Sequence, residues 1–166
     1  MAAAAAGRAF HVPPGFEVQL VASEPAIQKP MNLAFDERGR VWITGSSLYP
    51  WPAKRDALGQ PIATFTKQWD ENPVAFRATS TPPTPVENGT DSVRVLSDFD
   101  PATGRARKVE VFAEGLNIPI GILPLPHAPG AKGDSVIVFS IPAIWRLTDT
   151  DGDGRADQDR KSTRLN

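Results

Sequence analysis

The residues best equipped for chemistry crowd into "TDTDGDGRADQDRK", from Thr148 onward. Asp149, Asp151, Asp153 and Asp157 fall at positions 1, 3, 5 and 9 of a D-x-D-x-D-G-x-x-D pattern, with Gly154 at position 6. A hard cation such as calcium needs several oxygens, alternating Asp residues converge on one point, and Gly permits the sharp turn. The carbonyl of Arg155 falls at position 7, and position 12, where such loops carry a bidentate Glu, holds Arg160. Two readings stand: a calcium loop with a structural ion, or a solvated turn in which Asp and Gly are favoured anyway.

A second set lies in "YPWPAKRD". Tyr49 and Trp51 beside Lys54 and Arg55 can stack on and hydrogen-bond a sugar or cofactor. The competing reading pins the two rings onto a core and leaves the cations solvated. The chain has two histidines, His11 and His127, and neither sits in a catalytic motif. There is no GxSxG, HExxH, Walker or GxGxxG pattern.

Elements must position these side chains, and composition restricts which. The 17 prolines and 13 glycines in 166 residues disfavour long helices and suit short strands joined by turns. A net charge of −1 argues against nucleic acid as a partner. The absence of cysteine removes disulfides, thiolate metal sites and covalent haem attachment in this fragment. No apolar run approaches the roughly 18–20 residues of a membrane span.

Strand-like runs recur in a fixed order. "KPMNLAF" (Lys29–Phe35) corresponds to "IPIGILP" (Ile118–Pro124), and "GRVWITG" (Gly39–Gly45) to "DSVIVFS" (Asp134–Ser140). "VRVLSDFDPATGRAR" (Val93–Arg107) corresponds to "IWRLTDTDGDGRAD" (Ile144–Asp157). The first copy of the turn keeps only Asp98 and Asp100, so the fold can make it without a full ligand set. Each unit reads as four antiparallel strands, preceded by an N-terminal strand, "FEVQLVAS" (Phe16–Ser23). An all-β chain with two such units predicts an incomplete β-propeller, because a plain sandwich need not repeat in this order. A Pro-rich insertion, 46–90, separates the second and third strands of the first unit. In a propeller that connection opens on the ligand face and the acidic turn on the opposite one. Asn32 and Asn117, at the starts of the two inner strands, then join Tyr49, Trp51, Lys54 and Arg55 as candidate binding residues.

With the repeat established, "VPPGFEVQLVASEPAIQKPMNLAFDERGRVWITGS", "GLNIPIGILPLP" and "VFSIPAIWRLTDTDGDGRAD" resemble the N-terminal propeller of large exported bacterial proteins labelled membrane-bound dehydrogenases. That propeller is similar to quinoprotein dehydrogenases of the glucose/sorbosone type. The resemblance covers about Phe10 to Asp157. It implies oxidation of a sugar or alcohol with a PQQ-like quinone, a nearby calcium, a periplasmic or extracellular location, and further blades and C-terminal modules as partners. The family's catalytic His matches no position here, so this fragment is expected to be inactive by itself. The alternative is a non-catalytic propeller scaffold that binds a glycan or a protein.

The resulting division is a disordered or signal-peptide remnant over 1–10, a partial propeller over 11–157, and a non-native tail over 158–166. "QDRKSTRLN" lacks apolar alternation and is not expected to form the outer strand that the repeat requires.

Overall fold

Short runs of β-branched and aromatic residues, broken every few positions by Gly, Pro or Asp, leave the chain one economical solution: hairpins that stack. The computed structural model describes residues 10–49, 53–55 and 88–161. These form two four-stranded antiparallel sheets, with no helix among the described residues. Sheet 1 runs β1 (Pro30–Phe35), β2 (Val41–Gly45), β3 (Asp91–Phe99) and β4 (Ala106–Leu116). Sheet 2 runs β5 (Pro119–Pro124), β6 (Ser135–Ser140), β7 (Ala143–Thr148) and β8 (Gln158–Lys161). Spatial order equals chain order in both.

The two sheets share one register. Trp42 lies opposite Val95 and Thr44 opposite Val93; at the equivalent positions Ile137 lies opposite Arg146 and Phe139 opposite Ile144. The β1–β2 ladder slips once between Pro30 and Asn32, and the β5–β6 ladder slips at the same place, between Pro119 and Gly121. The residue before each of these prolines has positive φ: 33° at Lys29 and 46° at Ile118. A β-branched residue pays for that conformation, so Ile118 must be held by its surroundings.

Period-two alternation gives each strand two faces. Trp42, Val93, Val95 and Phe112 of sheet 1 pack with Val136, Val138, Trp145 and Leu147 of sheet 2 in one buried core. The Trp42 and Phe112 rings meet edge to face, 4.8 Å apart at 70°. Such a pair adds about 0.5–1.5 kcal/mol beyond its buried area. The sheets approach along β5, which lies against β1, β2 and β3. Val41, Ile43 and Leu96 point the other way and are partly covered by Ala22 and Ile27 of the segment before β1.

Two expectations are corrected. Phe16–Ser23 forms no strand. Among the described residues it makes no ladder; one backbone bond ties it to the start of β4, from Ala106 N to Val21 O at 2.9 Å. The outer strand of sheet 2 does form: β8 pairs with β7 from Thr148↔Gln158 to Trp145↔Lys161. An outer strand is held through its backbone on one side, so it does not need the apolar alternation that the sequence lacks there.

Candidate functional site

Antiparallel order sends the β2–β3, β4–β5 and β6–β7 connections to one end of the molecule and the four hairpin turns to the other. The connection end is organised by a buried carboxylate. Asp91, the first residue of β3, is 2% exposed. Its Oδ2 accepts from Ser46 Oγ at 2.6 Å and from the Ile118 backbone N–H at 2.9 Å. Its Oδ1 accepts from the N–H groups of Ser47 and Leu48 at 2.7 and 3.2 Å. One side chain thus fixes the start of the long connection, and it restrains Ile118 in its positive-φ conformation.

Asn117 continues this network into sheet 2. Its backbone N–H donates to Ser140 Oγ at 2.9 Å, and that hydroxyl donates back to the Asn117 carbonyl at 3.0 Å. The Asn117 side chain accepts from Ala53 N–H at 3.0 Å and donates to the Ala53 carbonyl at 3.5 Å. Ser46, Asp91, Asn117 and Ser140 are all buried, and among the described residues every buried side-chain polar atom has a partner. A satisfied buried network of this kind specifies one arrangement of the strands it joins. Gly45 fits the same crowding, because a Cβ there would stand 2.6 Å from the Gln28 carbonyl.

The sequence-predicted binding residues divide across this end. Asn117 belongs to the network and is fully buried. Asn32 is half-buried, and its backbone N–H donates to Thr44 Oγ1 at 3.1 Å. Tyr49 is 53% exposed, with its N–H capped by Ser46 Oγ at 3.0 Å. Lys54 is exposed and Arg55 half-buried. Trp51 and most of the 46–90 insertion lie outside the described residues. Asp91, Ser46 and Ser140 were not singled out by the sequence. The available signal was a carboxylate at the first position of a strand, in "GTDSVRV".

At the turn end an ion cluster joins the sheets. Asp36 accepts from Arg40 Nε at 2.7 Å and from the Trp42 indole N–H at 2.9 Å. Arg40 Nη2 reaches across to Asp134, the residue before β6, at 2.7 Å, where Arg38 also donates. His127 joins the same carboxylate through Nδ1 at 3.4 Å. Burial alone would raise both carboxyl pKa values. The Trp42 and Arg40 hydrogen bonds outweigh it at Asp36, and Arg40, Arg38 and His127 outweigh it at Asp134, so both lie below the ordinary Asp value.

The acidic turn lies beside this cluster. Asp149 is buried, with Oδ1 accepting from Gly152 N–H at 2.7 Å and Oδ2 from Gly154 N–H at 2.9 Å. Oxygens of Asp149, Asp151 and Asp153 lie within 4.8 Å of one another. Asp157 is held away from that group, both oxygens accepting from Thr150. Arg155 donates its N–H to Asp153 at 2.8 Å, and its guanidinium reaches Glu114 of β4 at 3.3 Å. Ala156 N–H also donates to the Phe112 carbonyl at 2.7 Å, so the turn is docked on sheet 1. Gly133 lets the β5–β6 turn close on Asp149, because a Cβ there would overlap the carboxylate.

Three converging carboxylates suit a hard cation such as calcium, with further oxygens required from backbone or water. For a quinone, His127 is not placed to act as a base at the connection end, since it is engaged at the turn end.

No curated protein and no solved structure matches this chain. A family model described as a domain of unknown function, DUF7133, matches residues 2–164, and the chain therefore belongs to that family.

Proposed function

We propose that the two sheets are consecutive blades of a β-propeller and that the connection end is its ligand face. The observation that carries this reading is the shared register combined with stacking in one sense. Both sheets repeat the same ladder, bulge and positive-φ residue, and apolar side chains remain on the outer face of each. A stack built this way continues through further sheets.

The network around Asp91 and Asn117 is the rigid floor of that face. It holds the start of the long connection so that Tyr49, 53% exposed, presents an aromatic ring to solvent. Such a ring suits a sugar or alcohol. The sequence resemblance favours a second, fuller reading, in which the complete exported protein oxidises such a ligand with a quinone. In that scheme the binding surface lies here and the base lies on other sheets.

Titrating the labelled chain with neutral sugars tests the ligand face. Amide shifts are expected at Ser47–Tyr49, Ala53–Arg55 and Asn117–Ile118, and Tyr49→Ala is expected to abolish them. Shifts confined to the turn end would overturn the assignment. Turnover of a sugar by this chain with added quinone and calcium would overturn the division of labour.

A calcium ion at Asp149, Asp151 and Asp153 has a structural role in this reading, stiffening a turn already docked on β4. Millimolar calcium is expected to raise the melting temperature by a few degrees, in line with ligand linkage of about 1–2 kcal/mol. Asp151→Asn combined with Asp153→Asn should remove the rise, and an unchanged wild-type melting temperature would contradict the ion.

A further inference from the structure

We propose that Asn88 and Gly89 form a self-modifying site, at which the asparagine side chain cyclises onto the backbone and then opens to leave a carboxylate at the foot of the long connection.

Asn88-Gly89 is the one Asn-Gly step in the sequence. The chemistry needs only water. The Gly89 amide nitrogen attacks Asn88 Cγ, the Cγ–Nδ2 bond breaks, and ammonia leaves with the amide proton. A succinimide ring remains. Water opens it at one of its two carbonyls, giving aspartate or isoaspartate, the latter with the main chain rerouted through the side-chain carbon. Nothing is oxidised or reduced. A side chain on the following residue hinders the approach of the nitrogen, and glycine has none and the widest backbone freedom.

Packing makes that glycine obligatory. A Cβ at position 89 would stand 2.3 Å from the Leu116 carbonyl oxygen and 2.4 Å from that of Gly115, where β4 ends. Asp91 is paired with Leu116, so this close approach belongs to the start of the β3–β4 ladder. The residue that the fold requires is the residue that opens Asn88 to cyclisation. Asn88 is exposed, and among the described residues no hydrogen bond engages its side-chain amide or the Gly89 N–H.

The acidic turn supplies an internal control. Asp151-Gly152 and Asp153-Gly154 offer the same ring closure. There the attacking nitrogens are tied, because Gly152 N–H donates to Asp149 Oδ1 at 2.7 Å and Gly154 N–H to Oδ2 at 2.9 Å. An ionised carboxylate is also a poorer electrophile than an amide. Ring closure is therefore blocked at the turn end and open at the connection end. Conversion places a new negative charge close before Asp91 in the chain, on the end that carries Tyr49. The inference goes beyond the ligand assignment and does not depend on it.

Peptide mapping of the full chain, aged in mildly alkaline buffer both folded and in urea, tests it. The folded chain is expected to convert at Asn88, with isoaspartate outweighing aspartate, at a rate within a few-fold of that in urea. Asp151 and Asp153 are expected to stay unchanged over the same period. Asn88→Gln lies at an exposed position, so it should keep the wild-type melting temperature, and its peptide should gain no charge. Asn88 left intact in the folded chain would overturn the proposal, and conversion in urea alone would show that the fold protects it. Isomerisation at Asp151 or Asp153 ahead of Asn88 would overturn it as well.

Discussion

The β3–β4 and β7–β8 turns occupy the same place in two copies of one repeat, and they solve the same problem with opposite electrostatics. In the β3–β4 turn Asp100 accepts from the N–H groups of Ala102 and Thr103 at 2.8 and 3.1 Å, and Arg107 of β4 supplies a cation 2.8 Å away. In the β7–β8 turn Asp149 accepts from Gly152 and Gly154, and Asp151 and Asp153 crowd beside it. No described cation forms a salt bridge with these three carboxylates, because Arg155 is turned to Glu114. The first turn carries its own counter-charge, whereas the second gathers negative charge on a buried anchor. The repeat fixes the strands and leaves the connections free to diverge.

The connection end shows the same division. The β2–β3 connection is long and is fastened by Asp91, whereas its counterpart is the two-residue link Ile141-Pro142, with Pro142 at the position equivalent to Asp91. The largest expected effect follows from that difference. Asp91→Ala leaves three backbone N–H groups and the Ser46 hydroxyl without their acceptor, and should cost about 3–5 kcal/mol in denaturant unfolding. A loss below about 1 kcal/mol would mean that the network does not hold the connection.

A smaller effect separates the two turns. Asp149→Ala should cost about 1–3 kcal/mol through the two orphaned N–H groups of its buried turn. Asp100→Ala, in the exposed turn, should change stability much less, and equal losses would erase the distinction.

Acid should act on the inter-sheet ion cluster. Asp36 and Asp134 have folded pKa values below the ordinary one, so their contribution is fully present above about pH 4. It is lost as pH falls through the lowered folded values. Arg40→Met removes the shared cation and should lower stability at neutral pH while flattening its dependence below about pH 4. An unchanged slope in that range would show that the cluster does not couple the sheets.

Much of this fold was legible because a repeat leaves its signature twice. "KPMNLAF" against "IPIGILP" gave the alignment that the bulges and the positive-φ residues Lys29 and Ile118 later followed. What stayed hidden depended on partners far away in the chain. Asp91 reads locally as one more turn carboxylate, and its burial follows from contacts with Ser46 and Ile118. β8 was illegible because backbone pairing to β7, not side-chain pattern, makes it a strand. Asn117 was found for its position at the start of an inner strand, but its amide is turned onto Ala53. The converging Asp149, Asp151 and Asp153 were visible from spacing, whereas the turning of Asp157 onto Thr150 was not.

The two sheets stack head to tail around one core. Trp42 and Trp145 report on it directly, because they occupy opposite faces of the repeat and yet share one buried core. Selective indole and valine-methyl labelling, read by nuclear Overhauser effects, measures that arrangement. The account predicts one network that links both indoles to Val93 and Val95 of sheet 1 and to Val136 and Val138 of sheet 2. Two separate networks, with each indole connected only to residues of its own sheet, would contradict it.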